Sequence, residues 1–543
     1  MSLHSIDMIL VVLYFLTVLG IGAYLARRQG GTEDYFLAGR RLGWTVVGFS
    51  LFASNISSTT LVGLMGSAYQ TGVSIANYEW MTAVLLVFFA IFIVPYYIQS
   101  RVYTIPEFLE RRFRPACRSY FSVLTILGNV FIETAGSLYA GALVIRQFFP
   151  HIELWMSGMA LAVVAGLYTA AGGLSAVVYT DVIQAIILLI GAVAMTWIAL
   201  EGVGDWGAFV TRTPDEMWSM VQPIDDPTMP WLGTLLGVPI LGFYYWCTNQ
   251  YVVQRVLGAK DVHHARSGAL FGGLLKLPVL FIMVFPGLMA RELFPSITKA
   301  DQVFPTMVAE LLPVGLKGLV LAGFIAAIMS SVDSTLNSAS TLVTMDFVHQ
   351  RNPKASDAHL AKVGRIVTVT FMVISALWVP VVAQFGNLYA YLQSSLAYLF
   401  PPVVAVFLLG MFWRRTTGTA AMVGMISGHV ISLGTFVAQK ATQGMTSVAG
   451  GGCGENAGLW SCYLNLHFLI LAGVFFFVSL LITVTVSLFT RAPASEQVAK
   501  FVWSRRYVLD ATRQAQAMPW YRDFRLHAAG VLGLTVWLVA AYW

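Results

Sequence analysis

Five ionisable residues stand inside long apolar runs: Glu79 in "NYEWMTA", Glu133 in "FIETAGS", Asp181 in "VVYTDVIQ", Lys276 in "GGLLKLPV" and Asp333 in "AAIMSSVDSTLNSAS". A charge at hydrocarbon depth is costly unless it is paired or faces a wet cavity, so each is a candidate for function. The plainer reading of each is a structural ion pair with a neighbouring helix, and for Glu133 that reading is the expected one. Glu79 and Lys276 are expected at a polar cavity. Together, carboxylate and ammonium suit the recognition of a polar solute. No nucleophile and base stand together, so an intramembrane enzyme is not expected.

Two polar stretches lie in apolar surroundings. In "FASNISSTTLVG", Phe52 to Gly63, five of the six positions from Asn55 to Thr60 are polar. Irregular backbone at membrane depth survives only when packed in protein or lining a cavity. A helix broken there exposes carbonyls to a cation and amides to a solute. The alternative is that the hydroxyls bond back to their own helix and allow close packing. In "AAIMSSVDSTLNSAS", Ala327, Ser330, Ser331, Ser334 and Asn337 share one helical face by spacing. Such a stripe serves as a packing surface or as a set of hydroxyl ligands, and Asp333 at its edge favours the second.

The elements that must position these residues are membrane helices. The chain is 57% hydrophobic and 11% charged, with mean hydropathy +0.73, against roughly 25% charged for soluble domains. With about 20 apolar residues per crossing, we read fourteen spans near 5–26, 43–70, 75–100, 118–149, 152–171, 176–201, 231–254, 265–292, 311–346, 362–384, 387–411, 418–438, 463–490 and 523–543. Lys and Arg collect in cytoplasmic loops. With both termini outside, the cytoplasmic loops 27–42, 101–118, 255–266, 347–365, 412–417 and 491–525 hold 25 of the 32 basic residues. The net charge of +6 therefore reports topology and does not point to nucleic acid. The first span lacks a basic n-region and is expected to be retained. Cys453 and Cys462 bracket an outer loop that a disulfide could close. The one Asn-x-Ser/Thr sequon, Asn55-Ile56-Ser57, falls inside a span, which leans toward a bacterial cell (inner) membrane.

At this point the chain resembles the sodium/solute symporters of the sodium–glucose cotransporter branch. The likeness runs from "TEDYFLAGR" (32–40) to "FLLGMFWRR" (407–415) through "GGLSAVVYTDVIQ", "YYWCTNQYVVQR" and "SSVDSTLNSASTLVTMD". The resemblance implies an all-α LeuT-type fold of two inverted five-helix repeats, 43–201 and 231–411. Residues 1–42 form an extra helix and loop, 202–230 an outer loop, and 412–543 three peripheral helices. It implies a sodium ion held by the carbonyls of Ala53 and Ile56 and by Ala327, Ser330 and Ser331. It implies solute contacts at Asn55, Glu79, Thr82, Tyr245, Lys276, Tyr389 and Gln393, with Tyr245 as the aromatic covering a sugar from the cytoplasmic side. Thr60 stands where Gln or His is usual and Gly242 where Asn or Thr is usual, so room for a different or bulkier solute is expected.

The expected activity is import of a hexose-like sugar by alternating access, with sodium as the coupling ion, or else symport of a polyol such as inositol or of an organic acid. No obligatory protein partner is expected beyond the bilayer. A solute-binding sensor is the reading from another class, against which the 491–522 tail is too short for a typical signalling domain. If Asp181 approaches Ser330, Asp333 and Ser334, two carboxylates share one low-dielectric site. They then need a second cation or a proton between them.

Overall fold

The computed structural model describes residues 3–26, 37–100, 102–385, 387–443, 458–494, 498, 501–516 and 518–543. Helices dominate because backbone amides in hydrocarbon must find partners within their own segment. Among the described residues, strand-like pairing is confined to two isolated bridges, Leu42 with Ala259 and Gln222 with Pro230.

Fourteen separate spans are not reproduced. Among the described residues nine helices are long and apolar enough to cross a membrane. The count rises to ten when Leu388–Leu399 and Pro401–Phe412, bent by 51° at their junction, are taken as one span. Hydropathy windows assume straight, separate rods, and this chain departs from that in two ways. Some windows are broken, as at Asn55–Ser58, where the Trp44–Asn55 and Ser58–Thr71 helices are 12 and 14 residues long. Others run together. Leu154–Val203 is 50 residues of continuous helical backbone covering two expected spans. Ser58–Ile98 is 41 residues, which laid straight at 1.5 Å per residue would be about 60 Å, twice the hydrocarbon thickness. It bends at Gly72, whose φ of +71° and approach to Met217 leave no room for a side chain; an added Cβ would lie 2.1 Å from the Met217 carbonyl oxygen.

Leu316–Leu342 is the helix around which the others gather. It packs against Leu154–Val203, Ser5–Ala26 and Asp357–Val382 as well as against both halves of the broken helix. Small residues let it approach its neighbours closely, as where Gly323 faces the backbone of Leu188, the usual solution when no hydrophobic drive separates helix from lipid. Its N-terminus is capped from a distance: Asp7 Oδ1 accepts hydrogen bonds of 2.8 Å from the amides of both Gly315 and Gly318. A buried carboxylate here answers the orphan amides and the positive end of the helix dipole.

Of the four cysteines, Cys117 and Cys247 are buried free thiols. Cys462 is disulfide-bonded, and Cys453 lies outside the described residues.

Asp7→Ala removes the cap on Leu316–Leu342 and is expected to cost about 0.5–2 kcal/mol of stability, read as a lower thermal unfolding midpoint in detergent. Asp7→Asn, which keeps an acceptor, should fall between the two.

Candidate functional site

The site begins where the Trp44–Asn55 helix stops. Ile56 has φ −77° and ψ 77°, outside the helical region, and the helix resumes at Ser58. The Ser57 amide turns to the carbonyl of Asn55 at 2.8 Å. The Thr60 amide donates to the Ser57 hydroxyl at 3.2 Å. In an unbroken helix those two amides would serve the carbonyls of Ala53 and Ile56. The break thus releases the two oxygens that the resemblance assigns to sodium. The Leu316–Leu342 helix, which packs against both halves of the broken helix, carries Ala327, Ser330 and Ser331, all buried. Ser331 donates to the Ala327 carbonyl at 2.9 Å, and Ser330 donates to Asp181 Oδ1 at 2.5 Å. Carbonyl and hydroxyl oxygens are the donor set a hard monovalent cation requires. Among the described residues no group of three or more His, Cys, Asp or Glu could hold another kind of metal.

Beside the break lies a cavity of about 80 Å³, well under the roughly 300–1,000 Å³ of open ligand pockets, so a ring-sized solute needs its walls to move apart. Eight of the nine residues expected to contact solute line it: Asn55, Thr60, Glu79, Thr82, Gly242, Tyr245, Tyr389 and Gln393. The ninth, Lys276, stands behind that wall, wholly buried. Its Nζ donates to Glu79 Oε2 at 2.6 Å and to Asn55 Oδ1, and it lies about 6 Å from the rings of Phe52 and Trp246. The ammonium therefore acts on the cavity through the two groups it orients. Trp246 Nε1 donates to the Thr82 hydroxyl at 3.0 Å. Tyr251 donates to the hydroxyl of Tyr245, and Tyr389 packs edge-on against Tyr78 at 5.4 Å between ring centroids.

The space expected at Gly242 is filled. A Cβ there would meet Leu85 Cδ1 at 2.2 Å, so Leu85 occupies the volume left by the missing side chain. Thr60 does not reach for solute alone either, since its hydroxyl donates to the Asn55 carbonyl at 2.8 Å. Sequence reasoning missed Leu85, Tyr78 and Trp246, which carry no polarity signal. It also misassigned Glu133: no ion pair holds it among the described residues, and it lines the same cavity as Glu79.

Asp181, Ser330 and Ser334 do come together, with a guanidinium among them. Arg255 Nη2 lies 3.2 Å from Asp181 Oδ2 and donates to Ser334, and Arg255 Nε donates to Ser50 at 2.7 Å. Ser50 donates to Asp181 at 2.5 Å. Arg255, counted above as a loop residue, is buried and supplies the positive charge Asp181 needs. Asp333 is fully buried on the same helix as Ser330 and Ser334.

One loop residue positions the wall opposite. Asp301, between spans, accepts the Leu388 amide on both oxygens at 3.1 Å, and so anchors the N-terminus of the Leu388–Leu399 helix that carries Tyr389 and Gln393. Burial pushes its carboxyl up to about 6, against the pull of that amide, the Tyr139 hydroxyl and Lys299. Raised above the ordinary 3.8, Asp301 binds its proton more tightly folded than unfolded. Its contribution is therefore fullest below about pH 4 and is lost as pH rises through about 6. Relative to Asp301→Asn, which cannot titrate, the wild type should gain about 1 kcal/mol on going from pH 7 to pH 5. Paired thermal unfolding curves in detergent measure that gain, and a constant gap between the two proteins would refute it.

A model of the sodium:solute symporter family matches residues 35–428. The chain is similar to the sodium/myo-inositol cotransporter 2 of Mus musculus, 36% identical over 545 residues that cover 93% of this chain and 80% of that protein. It is similar to the sodium/glucose cotransporter 1 of Oryctolagus cuniculus, 34% identical over 547 residues, covering 93% and 82%. Among solved structures it is similar to a Na+-coupled sialic acid symporter in a substrate-bound outward-open state, with TM-score 0.75 and 21% identity over 90% of this chain and 99% of that one. It is also similar to Mhp1, a nucleobase-cation-symport-1 family transporter in a closed conformation, with TM-score 0.54 and 15% identity over 86% and 97%. At those identities the structural likeness carries the fold, which is LeuT-like.

Proposed function

This chain belongs to the sodium:solute symporter family, and from that premise we propose that the solute it carries is a hydroxylated six-membered ring, an inositol-type polyol at least as readily as a hexose. It is a sodium-coupled secondary-active symporter of a small polar solute. The relatives named for myo-inositol and for glucose stand at nearly the same identity, so the cavity has to carry the finer reading.

The observation that supports it is the wall made by Asn55, Glu79 and Gln393 beside Tyr245 and Tyr389. Amide and carboxylate groups suit a ring bearing hydroxyls at every position, and aromatic faces suit its C–H side. A buried polar group left without its partner costs about 1–3 kcal/mol, so such a wall rejects solutes lacking the matching hydroxyls. Sodium at Ala53, Ile56, Ala327, Ser330 and Ser331 would join the broken helix to Leu316–Leu342. Binding there stabilises whichever state presents those oxygens together, in proportion to its differential affinity. The Trp44–Asn55 stub borders both the ion site and the solute wall through Asn55, which gives the coupling a short route. A second cation at Asp181, Ser330, Asp333 and Ser334 would require Arg255 to withdraw from Asp181.

Uptake of labelled myo-inositol and glucose into proteoliposomes under an imposed sodium gradient tests the reading. Accumulation in sodium but not in choline medium is expected, and equal uptake in both would sink it.

Ser331→Ala should raise the sodium concentration needed for half-maximal uptake roughly tenfold, the cost of one ligand oxygen, while leaving solute affinity at saturating sodium nearly unchanged. An unaltered sodium dependence would assign the serine stripe to helix packing.

A further inference from the structure

Two carboxylates line the cavity, and they are not equivalent. Glu79 is neutralised by Lys276 at 2.6 Å. Glu133 makes no ion pair and no side-chain hydrogen bond with any described residue, and it stands half-buried in the cavity wall. Its setting differs from that of a structural charge in a second way. It lies in Gly128–Thr134, where the helix widens to a π turn between Pro115–Leu127 and Ala135–Phe148. Such turns re-aim a side chain at the expense of regular hydrogen bonding and gather at functional sites.

The polar neighbours of Glu133 on this turn are already committed. Asn129 donates to the Ser338 hydroxyl at 3.0 Å, the hydroxyls of Thr134 and Thr335 share a bond of 2.6 Å, and Tyr391 donates to the Phe131 carbonyl at 2.8 Å. Across the cavity the hydroxyls of Thr60 and Thr82 donate to backbone carbonyls. With Glu79 and Lys276 cancelling, Glu133 gives the cavity a surplus of one negative charge and a set of acceptor lone pairs with no protein donor. A carboxylate held at membrane depth in that condition is costly, and a solute entering the cavity it lines is able to relieve it.

We propose that Glu133 is a solute-binding, specificity-determining residue: it accepts hydrogen bonds from the hydroxyl or ammonium donors of a neutral or amino-bearing polyhydroxylated ring and excludes acid sugars by charge. The inference rests on the sugar-or-polyol reading above, and removes the organic acid from the range of solutes. An ammonium is the stronger partner because a charge-assisted bond is about twice as strong as a neutral one. A solute carboxylate would meet like charge in a cavity without bulk water.

The test uses the full-length protein in proteoliposomes with a sodium gradient, labelled myo-inositol and glucose as reporters, and unlabelled glucosamine and glucuronate as competitors. Wild type should be inhibited by glucosamine at least as well as by unlabelled glucose, and not by glucuronate. Glu133→Gln, which keeps shape and loses charge, should raise the KM for the neutral reporter roughly tenfold or more and narrow the gap between glucosamine and glucuronate. Glu133→Asp should preserve the wild-type rank order. A purely structural role would lower the amount of folded protein or the maximal rate and leave the rank order untouched, which would overturn the proposal. Where uptake by the Gln variant is too weak to rank competitors, displacement of labelled reporter from purified protein ranks them instead. If wild type accumulates neither reporter, the sugar-or-polyol reading fails and this inference falls with it. If wild type transports and the Gln variant keeps both KM and rank order, only the role of Glu133 is lost.

Discussion

An ammonium at the centre of a membrane protein cannot be left to solvent, and the bonds that hold Lys276 organise the site. Its Nζ reaches Glu79 and Asn55, 197 and 221 positions away in the chain. Breaking such a pair by removing one partner strands the other charge, a loss of about 3–5 kcal/mol, whereas the intact pair costs little once three hydrogen-bonding groups converge. The convergence fixes the end of the Trp44–Asn55 helix against the first turn of Asn77–Phe88 and the last turn of Val262–Lys276. One electrostatic requirement thereby sets the position of the helix break and the direction in which the Glu79 carboxylate faces.

The break itself is cheap because of the residues around it. Ser57 and Thr60 supply hydroxyls that replace lost backbone bonds: Ser57, the N-cap of the second half, accepts the Thr60 amide, and the Thr60 hydroxyl donates to the Asn55 carbonyl. Capping of this kind is ordinary at the surface. In hydrocarbon it is what allows a helix to stop and restart without orphaning its amides, leaving carbonyls, which have two lone pairs and tolerate partial satisfaction better, as the groups released. A cation at the proposed site would draw on those carbonyls.

A separate polar network joins Asp181, Arg255, Ser50, Ser330 and Ser334. It shares Ser330 with the proposed sodium site, so the guanidinium and the ion draw on the same serine. This arrangement ties the ion site to Gln250–Leu257, the helix that follows the π turn of Tyr244–Thr248 at the cavity, and places a fixed charge where a second cation would otherwise be required.

Hydropathy alone determined that this is a helical membrane protein, because the free energy of inserting a segment is close to a sum over its own residues. The polar stretch at Asn55–Thr60 and the serine stripe of the Leu316–Leu342 helix were legible for the same reason: polarity in an apolar window is a local anomaly. Which partner each charge finds is not local. Glu79 and Lys276 are 197 positions apart, and Arg255 and Asp181 are 74 apart, so only the folded arrangement could pair them, move Arg255 from a loop into the core and leave Glu133 facing the cavity. The same holds for volume: the glycine at 242 signals space in the sequence, and Leu85 from another helix takes it up. The number of separate spans also waited on the structure, since a window average cannot register a π turn, a positive φ at Gly72 or a helix that halts for two residues and resumes.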